Sequence, residues 1–183
     1  MIYVITTGAG REAEAADALR GAGYTVYAPR AIRRRRSGER IDFTAEILFP
    51  GYLFLDVKAL TAADYYKIRN VKAVGRFLSQ TSCLSESEAE YIRLLHNRGE
   101  TIGIGKGRIE NGRLKIESGW LKRFEDRIVR WSARQHKAVA EITLYGKSYR
   151  ITCTVDIRHN DGIDLGEHLP VMVGMSKADT SIE

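Results

Sequence analysis

The side chains best suited to metal or nucleophilic chemistry in this 183-residue chain are four histidines, at 96, 136, 159 and 168, and two cysteines, Cys83 and Cys153. A metal site gathers such ligands at short, repeated spacing, and a covalent nucleophile needs a base beside it. Neither pattern is present in the sequence. No serine stands in a nucleophile-elbow context, and the cysteines read as small packed hydrophobes rather than disulfide partners. "GIGKGR" at 103–108 approaches a phosphate-binding loop, but that loop requires four residues between its glycines and then Lys-Ser or Lys-Thr, whereas Lys106 is followed by Gly107. No enzyme, cofactor or metal is expected.

Positive charge offers more. The chain carries +6 overall, split between +10 over residues 1–158 and −4 over residues 159–183. Its densest cluster is Arg33, Arg34, Arg35 and Arg36, followed by Arg40. Guanidinium groups in such a run hold phosphates without reading sequence, and their affinity falls steeply with salt; a solvated loop is the plain alternative. Arg11 is assigned to the same surface. A second excess, +4, falls in residues 117–158, where Lys122, Arg123, Arg127, Arg134 and Lys137 are interleaved with Trp120, Trp131 and Tyr145. Cations among aromatic rings suit RNA, although tryptophans in so small a unit are more often core.

These groups have to be positioned by a scaffold, and the pattern implies two units. "MIYVITT" is a strand closed by Gly8 and Gly10, and "REAEAADALRGAG" is a helix with acids in its early turns. "YTVYAP" is a short strand ended by Pro29, residues 31–41 form a long basic connection, and residues 45–57 form a strand. "TAADYYKIRN", capped by Thr61, is a second helix; "AVGRFLS" is a strand; residues 85–96 form a third helix with a Ser85–Glu88 capping box. Strand, helix, strand, strand, helix, strand is the order of a ferredoxin-like antiparallel sheet, expected over residues 1–96 of an α+β protein. Residues 97–111 read as an exposed linker, 112–158 as a small β-barrel and 159–183 as a loose acidic tail. In the barrel, Tyr149, Ile151, Cys153, Val155 and Ile157 alternate with polar residues, as do Ala138, Ala140, Ile142 and Leu144. "WLKRFEDRIVRW" fits strand or helical spacing, and its patterned neighbours favour strand; strict alternation in "YRITCTVDI" argues against a second domain that switches to helix. The longest apolar run, residues 47–55, contains Pro50 and is too short for a membrane span, and no signal segment opens the chain, so a cytoplasmic monomer is expected.

Residues 46–57, "EILFPGYLFLDV", place Pro50 and Gly51 inside the most apolar stretch. Proline stiffens the start of a strand and glycine permits a bend, so the rings beyond are aimed; alternation puts Tyr52 and Phe54 on one face and Leu53 and Leu55 on the other. "FPGYLFL", with "YVITTGAGREAEAADALR", "NVKAVGRFL" and "SGWLKRFEDRIVRW", resembles the NusG family of transcription elongation factors across about residues 1–158.

The resemblance implies an N-terminal NGN domain that grips the RNA polymerase clamp through an apolar patch and suppresses pausing, and a C-terminal KOW domain with an SH3-like barrel. It assigns Tyr3, Tyr52, Phe54, Val74 and Phe77 to the clamp, and the arginine run to upstream or non-template DNA. Leu144, Tyr145, Gly146 and Lys147 align with the loop that meets a ribosomal protein or Rho. Trp120 stands where the family usually has proline, and Asp126 where it usually has glycine. Those departures and the acidic tail suggest a specialised antitermination paralog of the LoaP or RfaH type, acting on selected long operons and recruited through DNA or nascent RNA. A stand-alone RNA- or ribosome-binding module is the competing reading.

Overall fold

The computed structural model describes residues 1–79 and 83–158; the acidic tail lies outside the described residues. Strand β1 (Ile2–Thr7) leads to helix α1 (Glu12–Gly21) and then β2 (Thr25–Tyr27), β3 (Arg30–Ser37), β4 (Arg40–Ile47) and β5 (Tyr52–Asp56). Helix α2 (Ala62–Arg69), β6 (Val74–Phe77) and helix α3 (Glu86–His96) follow. Four of these strands form an antiparallel sheet in the order β2-β5-β1-β6, which is the ferredoxin-like arrangement. Both helix starts singled out by sequence carry reciprocal capping boxes, Thr61 with Asp64 and Ser85 with Glu88.

The two faces of this sheet are covered differently. Ile5, Leu53, Leu55 and Phe77 pack with Ala15, Ala16 and Leu19 of α1 and Ile68 of α2. Ile2, Val4 and Phe54 face the other way, into a core shared with Ala89, Ile92 and Leu95 of α3 and with the C-terminal half of the chain. Period-two alternation along β1 and β5 is what separates these two sets.

The basic connection is not a loop. Residues 30–47 form a two-stranded arm in which Arg33 pairs Thr44, Arg34 pairs Phe43, Arg35 pairs Asp42 and Arg36 pairs Ile41. The strand expected over residues 45–57 is correspondingly two strands. Between them Tyr52 N–H donates to the Phe49 carbonyl at 3.1 Å, closing a turn with Pro50 and Gly51 at its centre. Gly51 has φ +82°, the left-handed value that the third residue of a type II turn demands.

Residues 97–111 also differ from the linker expected of them. Beyond a short 3₁₀ turn, Ile102 exchanges backbone hydrogen bonds of 2.8 Å with Ile32 and Arg30, and residues 105–110 form β7 (Gly105–Glu110). With β8 (Arg113–Ser118), β9 (Ile128–Ser132), β10 (Lys137–Leu144) and β11 (Lys147–Arg158) it makes a five-stranded sheet in the order β8-β7-β11-β10-β9, compatible with a small barrel. β7 runs parallel to β11, Gly105 opposite Val155. Its glycines reflect crowding rather than looseness, since a Cβ on Gly107 would stand 2.8 Å from the Lys115 carbonyl. Residues 120–127 are two 3₁₀ turns broken at Phe124 (φ −125°), not strand; Trp120 and Phe124 stack at 4.5 Å, and Trp120 bonds to α3. Among the described residues, no helix is long and apolar enough to cross a membrane.

Candidate functional site

The rings assigned to the clamp are divided between the two sheet faces. Tyr52 and Phe54 lie on the face turned to the C-terminal sheet, whereas Tyr3, Val74 and Phe77 pack on the face of α1 and α2. Tyr3 and Phe77 meet edge-on at 6.3 Å, and Phe77 stacks on Tyr65 at 5.0 Å. One continuous patch of all five is therefore excluded by the alternation of their strands. Nor is the Tyr52 face open in this structure: Phe54 is 1% exposed and Phe49 4%.

What covers the Tyr52 end of that face, beside α3, is the C-terminal sheet. Tyr149 of β11 sits against Phe49 and Tyr52 at 6.3 and 6.4 Å, edge-on to both, while Phe49 meets Phe54 at 5.1 Å. Around this aromatic centre run polar ties to α3. The Trp120 indole N–H donates to the Leu94 carbonyl at 2.9 Å, and Arg127 lies 4.6 Å over the Tyr91 ring and donates to its hydroxyl. The Tyr145 amide donates to Glu88 Oε1 at 2.6 Å. Burial opposes the Glu88 charge, but the Ser85 amide and hydroxyl and the amides of Tyr145 and Gly146 outweigh it and hold the carboxyl below its usual range. Burial also pushes the Tyr145 phenol up to about 12. Leu144, Tyr145, Gly146 and Lys147 thus form a β10–β11 hairpin turn docked on α3, with Leu144 buried.

Glu12 is a functional support that sequence reasoning missed. It was legible only as an acid in the first turn of α1, yet it is 5% exposed and its carboxylate accepts the Gly51 N–H at 2.6 Å. It fixes the turn from which Tyr52 and Phe54 depart.

The cationic residues separate into four groups. Arg11 pairs with Glu14 at 2.9 Å at the start of α1. Lys122 pairs with Glu125 at 3.0 Å, Arg123 is exposed on the same 3₁₀ segment, and Arg127 is engaged by Tyr91. Arg35 pairs with Glu46 at 2.6 Å and Arg40 with Asp42 at 3.0 Å on the outer side of the arm. Arg33, Arg34 and Arg36 instead meet Arg134 and Lys137 across a cleft of about 620 Å³. Thr154, 4% exposed, ties its walls: its hydroxyl donates to the Ile32 carbonyl at 2.7 Å and accepts the Arg34 amide at 3.2 Å. Cys153 beside it is a buried thiol pushed up to about 11 by burial, which suits packing rather than reactivity. Among the described residues there is no cluster of three or more side chains able to hold a metal.

A ferredoxin-like sheet whose apolar face is closed by a second, basic sheet defines a two-part α+β protein. The family model for "Transcription termination factor nusG" matches residues 2–94, just over half of the chain, and the chain belongs to the NusG family of transcription factors, which are not enzymes. Among solved structures it is similar to one described as "Domain interaction in Thermotoga maritima NusG", with 20% identity, a TM-score of 0.50, and coverage of 85% of this chain and 93% of that one. At that identity the likeness speaks for the fold. A search of curated proteins gave no match.

Proposed function

We propose that this protein is a transcription elongation factor that docks on the RNA polymerase clamp through the Tyr52–Phe54 face of its N-terminal sheet, suppresses pausing and promotes antitermination. The observation that carries the reading is the pairing of a NusG-family N-terminal region with an aromatic sheet face whose cover comes from outside the ferredoxin-like unit. In the closed arrangement Tyr149 occupies the ground a clamp helix needs, so docking requires the C-terminal sheet to leave. Polymerase can drive that change only by binding the open form better than the closed one. Tyr3, Val74 and Phe77, on the opposite face, then act as support for the docking strands rather than as contacts.

The C-terminal sheet, which begins at β7 rather than at residue 112, is read as the KOW domain, joined through residues 97–104 to an NGN unit of residues 1–96. Its Leu144–Lys147 turn becomes available to a ribosomal protein or Rho only on opening. The arginine arm and the cations of the C-terminal sheet are read as nucleic-acid contacts, to upstream or non-template DNA or to nascent RNA. A specialised paralog is favoured by Trp120: the residue that departs from the family pattern is the one that ties the cover to Leu94. The test is capture of purified RNA polymerase by the full chain carrying Trp120→Ala, with and without Tyr52→Ala. Capture lost on adding Tyr52→Ala supports the reading; capture unchanged, or none in either variant, overturns it.

A further inference from the structure

We infer that the cleft between β3 and the β9–β10 turn is a single binding site for the phosphodiester backbone of a single-stranded polynucleotide, built jointly by the arginine arm and the C-terminal sheet. The inference deepens the nucleic-acid half of the proposed function and rests on it, but it does not depend on polymerase docking. Arg33, Arg34 and Arg36 supply one wall; Arg134, His136 and Lys137 supply the other. Five of these six are permanently charged, and among the described residues no carboxylate lines the cleft. Among the described residues, Glu46 reaches Arg33 at 3.8 Å and Asp156 stands 4.0 Å from His136 Nδ1, and neither acid is a lining residue. A concavity lined by one sign of charge focuses its field into the space it encloses, which favours a polyanion there.

The walls are held in register, so the cations are presented together. Thr154, which bonds Ile32 and Arg34 on the arm, pairs with Lys137 in the β10–β11 ladder, and the Val155 amide donates to the His136 carbonyl at 3.0 Å. The cleft is of small-ligand size, so it admits a few nucleotides of one strand, whereas a double helix could only lie across its mouth. Among the described residues no Phe, Tyr or Trp lines it to stack a base, and the contacts therefore fall mainly on phosphates. RNA and DNA share that backbone. Neither the arm nor the C-terminal sheet makes this site alone.

The test is fluorescence anisotropy of the full chain with labelled oligo(U), oligo(dT) and a duplex of the same length, about a dozen nucleotides. One strand per chain is expected, with similar affinity for oligo(U) and oligo(dT) and weaker binding of duplex. If all five cations meet phosphates, the log–log salt slope is about −3.5, roughly a hundredfold weakening from about 0.05 to 0.2 M salt. Arg36→Glu and Arg134→Glu, both at exposed positions, each reduce this one binding event about tenfold or more, while Arg113→Glu on β8 leaves it unchanged. Arg36→Gln and Arg134→Gln give the same ordering should a charge reversal disturb folding. Two strands per chain, or a full-affinity event surviving reversal on either wall, overturns the joint cleft while leaving a nucleic-acid role intact. Preference for duplex, or a tenfold preference for one sugar, overturns the backbone-in-cleft geometry. Absence of binding at low salt removes the inference together with the nucleic-acid reading.

Discussion

The two faces of the N-terminal sheet bury similar residues against covers of different kinds. One face is sealed by α1 and α2, which belong to the same βαββαβ unit and pack Leu19, Ala15 and Ile68 against Leu53, Leu55 and Ile5. The other is sealed by Ala89, Ile92 and Leu95 of α3 together with residues from far along the chain, Tyr149 on Phe49 and Tyr52, ringed by hydrogen bonds from Trp120 and Tyr145 to α3. A cover made of local elements cannot leave without unfolding the unit. A cover joined through residues 97–104 can leave as a body, at the cost of exposing the apolar surface it hid, with each large side chain contributing about 1.5–3 kcal/mol when fully buried. On the proposed reading, the same apolar chemistry serves as core on one face and as a gated surface on the other.

The largest way to break this distinction is Leu19→Ala in the sealed face. A cavity under the sheet should cost about 2–5 kcal/mol and lower the denaturation midpoint of the whole chain. Trp120→Ala should act on the gated face alone. Losing its stack on Phe124 and its bond to Leu94 weakens the cover by about 1–3 kcal/mol, so amide exchange should quicken at Tyr145 and in α3 while α1 keeps its protection. An equal loss of protection in α1 would contradict separable covers.

Glu12→Ala comes next. It leaves the half-buried Gly51 amide without its acceptor, a cost of about 1 kcal/mol, and chemical denaturation should show it along with a displaced Tyr52 ring signal. The smallest effect is that of pH. The Glu88 carboxyl is held below its usual range in the folded chain, so its contribution is fully present above the unfolded value, about 4.3, and is lost as pH falls through the lowered folded value. Tyr145 amide exchange, corrected for its intrinsic pH dependence, should therefore rise on acidification, and Glu88→Gln should flatten that response.

Most of the architecture was legible because period and capping report burial directly. Ile151, Cys153, Val155 and Ile157 are buried as their alternation requires, and Thr61 and Ser85 cap the helices their spacing marked. The arm was not legible. Its strand "RAIRRRRS" lacks an alternating apolar face, since its outer residues are held by cross-strand charges and only Ala31 is buried in it. β7 was hidden by glycines that read as linker: Gly107 permits close approach of β8, the Asn111-Gly112 turn that closes this hairpin was passed over, and its other partner, β11, lies about 50 residues on. The candidate site suffered from the same limit. Alternation grouped Tyr52 with Phe54 correctly, but which face each neighbouring strand turns to the cover is fixed by register between strands. Glu12 shows the converse case: an acid ordinary in its own helix becomes a buried support because of a turn 39 positions away.

Amide exchange at Tyr145, with and without bound RNA polymerase, tests the central claim that docking and closure compete for one sheet face. The Tyr145 N–H is held by Glu88 only when the C-terminal sheet is seated on α3. Protection in the free chain that collapses in the polymerase complex, while the α1 amides stay protected, is the predicted result. Protection of Tyr145 that persists in the complex would contradict the account, because the Tyr52–Phe54 face would then still be covered while polymerase is bound.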